Sequence, residues 1–236
     1  ARLREAVRAR SVRQGLKVGV DEPIITNGAM EALNLCLQAV TRPGDVVAIE
    51  SPTFYAALQA LERLNLRAVE VPTDPQLGVD PDGLAEVIAR HKVSACWLMP
   101  NFQNPLGALM PLARKQAVMQ VLQRSGTPVV EDDVYGELHH SSTRPLPLKA
   151  FDTEGLVLYC SSFSKCLAPG YRVGWTLAGR YSHAAHKLKM MSSLATAVPS
   201  QLAVAEYLEE GGYDRHLRQL RKTLADSLGR LRQMVL

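Results

Sequence analysis

Short apolar runs alternate along the chain with longer segments whose apolar residues recur every three or four positions. The runs at 24–26, 45–50, 66–71, 94–99, 128–131, 156–159 and 172–178 are too short for helices. Most are bounded by Gly, Pro or Asn, and they read as buried strands. Helical spacing predicts helices over 2–14, from the 27–33 turn onward, up to about Leu64, and over 82–90, 111–124, 181–191 and 199–209. A long last helix starts at Gly212. Pro111 suits a first helical turn, because the amide hydrogen it lacks has no partner there. Segments 72–81 and 192–197 read as loops. Strands alternating with helices predict an α/β fold: a mostly parallel sheet with helices on both faces.

Composition narrows the function classes. The 236 residues suffice for one large α/β domain, and 47% hydrophobic content is ordinary for one. The net charge of +4 is spread along helices, with no like-charge block to mark a nucleic-acid arm. The basic residues of 215–232 read as a solvated helix face. Cys36, Cys96, Cys160 and Cys166 form no C-x-x-C pair and lie in apolar contexts, so reduced thiols are expected rather than disulfides or a metal site. No 18-residue apolar run and no signal-peptide core occur, so neither a membrane span nor export is expected, and a cytoplasmic protein is. Both ends look like helix interiors, which predicts a piece of a longer protein.

The densest chemistry lies in Ser161-Ser162-Phe163-Ser164-Lys165-Cys166-Leu167-Ala168-Pro169-Gly170-Tyr171-Arg172-Val173-Gly174-Trp175. Lys165 falls on a loop after a strand, where ligand sites of α/β sheets gather. A lysine on an ordinary surface loop is the alternative reading. Small and apolar neighbours, two preceding hydroxyls and the following Arg172 point instead to an amine nucleophile beside an anion site. An aldehyde cofactor that carries a phosphate meets both demands. Ser162-Phe163-Ser164-Lys165 also fits the S-x-x-K nucleophile pattern, but the S-D-N and K-T-G partners that chemistry needs are absent.

Other strand ends add to this. Thr26-Asn27-Gly28-Ala29-Met30 is a strand, a glycine turn and a helix start in succession, which aims backbone N–H groups at an anion. Phe54 or Tyr55 can stack on a flat ring, although a core aromatic is the commoner case. Asn104-Pro105-Leu106-Gly107 reads equally as a plain turn or as a donor to the ligand. Asp132 and Asp133 end a core strand, where a carboxylate can hold a ring nitrogen protonated. His139 and His140 read as polar loop residues.

In this order the motifs resemble the fold type I pyridoxal-phosphate (PLP) proteins, the aminotransferase superfamily. The likeness covers nearly the whole chain. It implies a three-layer αβα fold around a mostly parallel seven-stranded sheet, with 172–178 as the antiparallel strand. It implies a phosphate cup at Gly28, Ala29 and Met30, a ring stacker at Phe54, and phosphate contacts from Ser162 and Arg172. Asn104 and Tyr135 fall to the ring oxygen, Asp132 to the ring nitrogen (Asp133 fits the D-x-x-Y spacing less well), and Lys165 to the Schiff base. The loop near Thr196 can reach a neighbouring subunit's phosphate in such proteins.

Within the superfamily, Glu131 to Leu138, Arg144-Pro145-Leu146-Pro147 and Ser162 to Gly170 look most like the effector domains of GntR-family, MocR-type transcription regulators. Residues 1–236 then form the large PLP-binding domain. The small domain, with its carboxylate-clamping arginine, and the DNA-binding winged helix lie outside them. A homodimer with a small amine or amino-acid ligand is implied. The alternative is a working aminotransferase, whose site residues would be the same.

Overall fold

The computed structural model describes residues 2–235. Nine strands form in chain order: β1 (Pro23–Thr26), β2 (Val46–Glu50), β3 (Arg67–Val71), β4 (Thr73–Asp74), β5 (Gly78–Val79), β6 (Val93–Leu98), β7 (Val129–Asp132), β8 (Val157–Ser162) and β9 (Gly174–Leu177). Seven of them make one sheet in the order β1-β9-β8-β7-β6-β2-β3. Neighbours from β8 to β3 run parallel, and β9 is antiparallel to both β8 and β1. The expected seven-stranded, mostly parallel sheet and its antiparallel member are therefore present. The 72–81 loop contains the two-residue hairpin β4–β5.

The helices are α1 (Arg2–Arg13), α2 (Ala29–Val40), α3 (Tyr55–Arg63), α4 (Pro81–His91), α5 (Leu112–Ser125), α6 (Ser182–Ser193), α7 (Val198–Glu209) and α8 (Gly212–Val235). Both sheet faces are covered, so the central strands β7, β8 and β9 are buried throughout, while the edge strand β3 keeps Arg67 and Glu70 exposed. Along β8 the side chains alternate: Val157 and Tyr159 join one core cluster, Leu158 and Cys160 the other. Helices α2, α3 and α6 supply one layer through Leu33, Leu61 and Ala185. Helices α1, α4, α5, α7 and α8 supply the other, through Leu3, Leu84, Met119, Val204 and Leu217. This alternation has a direct consequence at the end of β7. Val130 faces the α2 layer, so Asp132, two residues on, faces it as well.

Two of the boundaries that differ from the sequence reading bear on the site. Strand β7 runs one residue further, to Asp132, because Asp132 pairs with Cys160 of β8. Strand β9 begins at Gly174 rather than at 172, and Arg172 adopts φ 51° after a short 3-10 turn. That left-handed conformation directs its guanidinium back toward β1 instead of along the sheet. All four cysteines are buried and free. Among the described residues no helix is long and apolar enough to cross a membrane, and no cluster of His, Cys, Asp and Glu could hold a metal.

Candidate active site

The parallel strands deliver their last residues to one edge of the sheet, and a cavity of about 420 Å³ opens there. This is the usual ligand position in such sheets. Ala29 and Met30 line it from the first turn of α2, and Phe54 from the residue before α3. Asn104 comes from the loop after β6, Asp132 from the end of β7 and Tyr135 from the turn beyond it. Ser162, Lys165 and Arg172 complete the wall. Nine of the ten residues singled out by sequence thus share one cavity.

The tenth, Gly28, caps α2 at φ 81°, a conformation that favours glycine. A Cβ there would lie 2.5 Å from Arg172 Nη2. Gly174 is equally constrained, since its Cβ would lie 2.6 Å from the Gly28 carbonyl carbon. The two glycines let the α2 start and the lysine loop meet. Arg172 Nη2 donates to the Asn27 carbonyl at 3.2 Å, and Nη1 to Ser164 Oγ at 3.4 Å. The guanidinium forms no ion pair among the described residues, so its charge stands open beside the N-terminus of α2. A helix N-terminus and an unpaired arginine at one wall make an anion site.

At the floor the charge is reversed. Asp132 is 2% exposed, and its Oδ1 has no hydrogen-bond partner among the described residues. Burial, then the neighbouring Asp133 charge, pushes its carboxyl up to about 7. Glu50, at the end of β2, is similar. Its Oε2 accepts the Met99 N–H at 2.9 Å while Oε1 has no partner, and burial pushes it up to about 7. Such orphaned acceptors are costly unless a ligand donor meets them. Lys165 Nζ stands 6.0 Å from the Tyr135 ring centroid and forms no hydrogen bond or ion pair among the described residues. One wall therefore suits a phosphate, the floor suits a protonated ring nitrogen, and the primary amine of Lys165 lines the same cavity. These residues fit pyridoxal phosphate.

Some placements add to or alter the sequence reading. Ser164 also lines the cavity and accepts from Arg172, yet the sequence reading gave it no role. Its position between Ser162 and Lys165 was the available signal. Phe54 and Tyr55 both line the cavity, edge to face at 5.0 Å between ring centroids. Thr196 turns inward: it is 3% exposed, accepts from Lys189 Nζ and donates to the Ile25 carbonyl. His139 is buried against the Ser141 carbonyl, away from the cavity. His140 lines a separate groove that shares Asn104 and Tyr135 with the cavity.

Comparison with known proteins shows the family and the fold. The family model for aminotransferase class I and II matches residues 2–235. The HTH-type transcriptional regulator YdcR of Escherichia coli is 48% identical over 236 residues, all of this chain and 50% of that protein. Aromatic-amino-acid aminotransferase 1 of Thermococcus litoralis is 34% identical over 216 residues, 88% of this chain and 51% of that one. The chain thus spans about half the length of the curated relatives it matches. Among solved structures, the kynurenine aminotransferase of Pyrococcus horikoshii, in complex with PMP, superimposes with a TM-score of 0.86 at 33% identity. LysN, the α-aminoadipate aminotransferase of Thermus thermophilus, complexed with N-(5'-phosphopyridoxyl)-L-leucine, does so at 0.86 and 34%. Each of these alignments covers 94% of this chain and 56% of the other. On its sequence, fold and cavity, the chain belongs to the class I and II aminotransferase family.

Proposed function

We propose that this chain is the PLP-binding, aminotransferase-like effector and dimerisation domain of a GntR-family, MocR-type transcription regulator. In this reading residues 1–236 are the large, cofactor-binding domain, and DNA contact falls to a winged-helix domain they do not include. The observation that carries the cofactor assignment is the opposed pair in one cavity: orphaned Asp132 at the floor and unpaired Arg172 at the wall, with Lys165 lining the same cavity. The regulatory part rests on relatives. YdcR and the HTH-type regulator YjiR of Escherichia coli are 48% and 41% identical over nearly all of this chain.

Each residue then has a task. The N–H groups at the start of α2, Ser162 and Arg172 hold the phosphate. Phe54 stacks on the ring, and Asn104 and Tyr135 hydrogen-bond its oxygen. Asp132, as a carboxylate, pairs with the ring nitrogen and keeps a proton on it. Lys165 supplies the amine that takes the cofactor's aldehyde. When bound, PLP supplies an electron-withdrawing ring that stabilises negative charge beside the ligand's amine. A second reading, a working aminotransferase, is favoured by the 34% identity to the Thermococcus litoralis enzyme. There Lys165 also carries the proton to and from the ligand's α-carbon.

Titration with PLP, followed by absorbance, tests the proposal. A new band that is lost in Lys165→Ala and removed by borohydride is the expected result. Its absence from the parent chain and from a longer chain that includes flanking sequence would overturn the cofactor assignment. Addition of amino acids then separates the readings. A band shift without release of a 2-oxo acid marks a sensor, and release marks an aminotransferase.

A further inference from the structure

Behind the cavity floor lies a second polar cluster, whose members partner one another. Asp133 faces the α5 layer, opposite to Asp132, and its side chain is fully buried. Its Oδ2 accepts from Tyr159 Oη at 2.9 Å and from Arg144 Nη2 in a very short ion pair. Its Oδ1 accepts from Asn101 Nδ2 at 3.1 Å. Asn101 is fixed in turn by Lys115 Nζ of α5, which donates to Asn101 Oδ1 at 2.6 Å. The Asp133 carbonyl accepts from Ser161 Oγ of β8 at 2.9 Å. One carboxylate thereby ties together the loop that carries Asn104, the end of β7 that carries Asp132, and β8 ahead of Ser162.

Gly136 extends the frame to Tyr135. A Cβ on Gly136 would lie 2.5 Å from Asp133 Oδ1 and 2.7 Å from Arg144 Nη2. Only a glycine lets the turn after Tyr135 rest on the buried ion pair. Against the cost of burial, the Asp133 carboxylate raises the proton affinity of Arg144, and the two form a buried ion pair.

We propose that Asp133 is a positioning residue of the cofactor site, whose buried carboxylate braces the segments presenting Asn104, Asp132 and Tyr135 and fixes a negative charge behind Asp132. The link to the cofactor rests on the PLP reading above; the effect on Asp132 does not. Other charged and titratable groups face Asp132 as well: Glu50 from β2, Cys160 from β8, and Tyr135, Lys165 and Arg172 across the cavity. Glu131 and Lys115 lie on the Asp133 side of the sheet.

The test is carboxyl-carbon NMR of the chain labelled at aspartate, titrated without cofactor, beside PLP titrations. In the parent, Asp132 titrates near 7. In Asp133→Asn its midpoint falls, because a like charge is removed. Asp133→Asn leaves Arg144 without its partner and can lose the fold. The double variant Asp133→Asn/Arg144→Gln buries no unpaired ion; Asp133 adjoins Asp132 and Arg144 lies beyond it on the α5 side, so the midpoint still falls, by less than in Asp133→Asn. Glu137→Gln is the control: Glu137 is buried in the same layer but pairs with Arg10 and Arg221, and its loss leaves the midpoint in place. PLP affinity falls about tenfold in the double variant, as for other residues that orient ligand-contacting groups. An unchanged Asp132 midpoint in the double variant would overturn the inference. Midpoints that move as expected in a parent that takes up no PLP would overturn the cofactor reading and leave the role of Asp133 toward Asp132 intact.

Discussion

Asp132 and Asp133 are adjacent in the chain and sit in opposite surroundings. Asp133 points into the α5 layer, where Arg144, Tyr159 and Asn101 saturate it. Asp132 points into the cavity with an oxygen that has no hydrogen-bond partner among the described residues. Strand alternation alone separates them. One carboxylate has its partners built in and serves as framework. The other depends on a partner from outside the chain. That contrast also separates the two faces of the sheet at the site. The α5 face holds a buried ion pair with its hydrogen-bond partners, and the cavity face leaves Asp132 Oδ1 without a partner and the Arg172 charge without an ion pair among the described residues.

Substitutions on the two sides should therefore fail differently. The largest expected effect is Lys165→Ala, which abolishes borohydride-stable PLP attachment while the fold survives, because Lys165 is exposed and unpartnered. Asp133→Ala comes next. It strands the buried Arg144 charge and costs about 3–5 kcal/mol, measured by denaturant unfolding. Gly136→Ala forces a methyl against the same ion pair and costs about 1–3 kcal/mol by the same measurement.

Asp132→Asn should do the reverse in the chain without cofactor. The Asp132 carboxyl is raised from 3.8 to about 7, so the folded state binds the proton more tightly than the unfolded state. Stability therefore falls as pH rises through the window from about 4 to 7, and the penalty is complete above it. Asn carries no such penalty. Its unfolding free energy should match the parent near pH 4 and exceed it at pH 8 by roughly 4 kcal/mol. Glu50 is raised in the same direction, so Glu50→Gln should show the same sign. The smallest effect is on stability in Arg172→Gln. The guanidinium is exposed and forms no ion pair, so unfolding should change by less than about 0.5 kcal/mol. PLP affinity in that variant should fall about tenfold.

Much of this was legible in the chain. Short apolar runs bounded by turns located every strand of the large sheet, because strands covered on both faces must be apolar throughout. The site residues stood out because each follows such a run. What was not legible depends on three-dimensional pairing. The D-x-x-Y spacing to Tyr135 favoured Asp132 over Asp133, but the role of Asp133 was not legible, because it depends on the register of β7 and on Arg144, eleven residues further on. Ser164 looked like one of several loop serines until Arg172 folded back onto it. Thr196 sat in a loop free to reach outward, but Lys189 and the Ile25 carbonyl hold it inside.

The most direct test of the central claim is to incubate the chain with PLP, reduce it with borohydride, digest it and map the added mass by peptide mass spectrometry. The account predicts the pyridoxyl group on the single peptide that contains Lys165, and its loss from that peptide in Lys165→Ala. Pyridoxyl groups scattered over surface lysines such as Lys17, Lys92 and Lys222, with none enriched at Lys165, would contradict it.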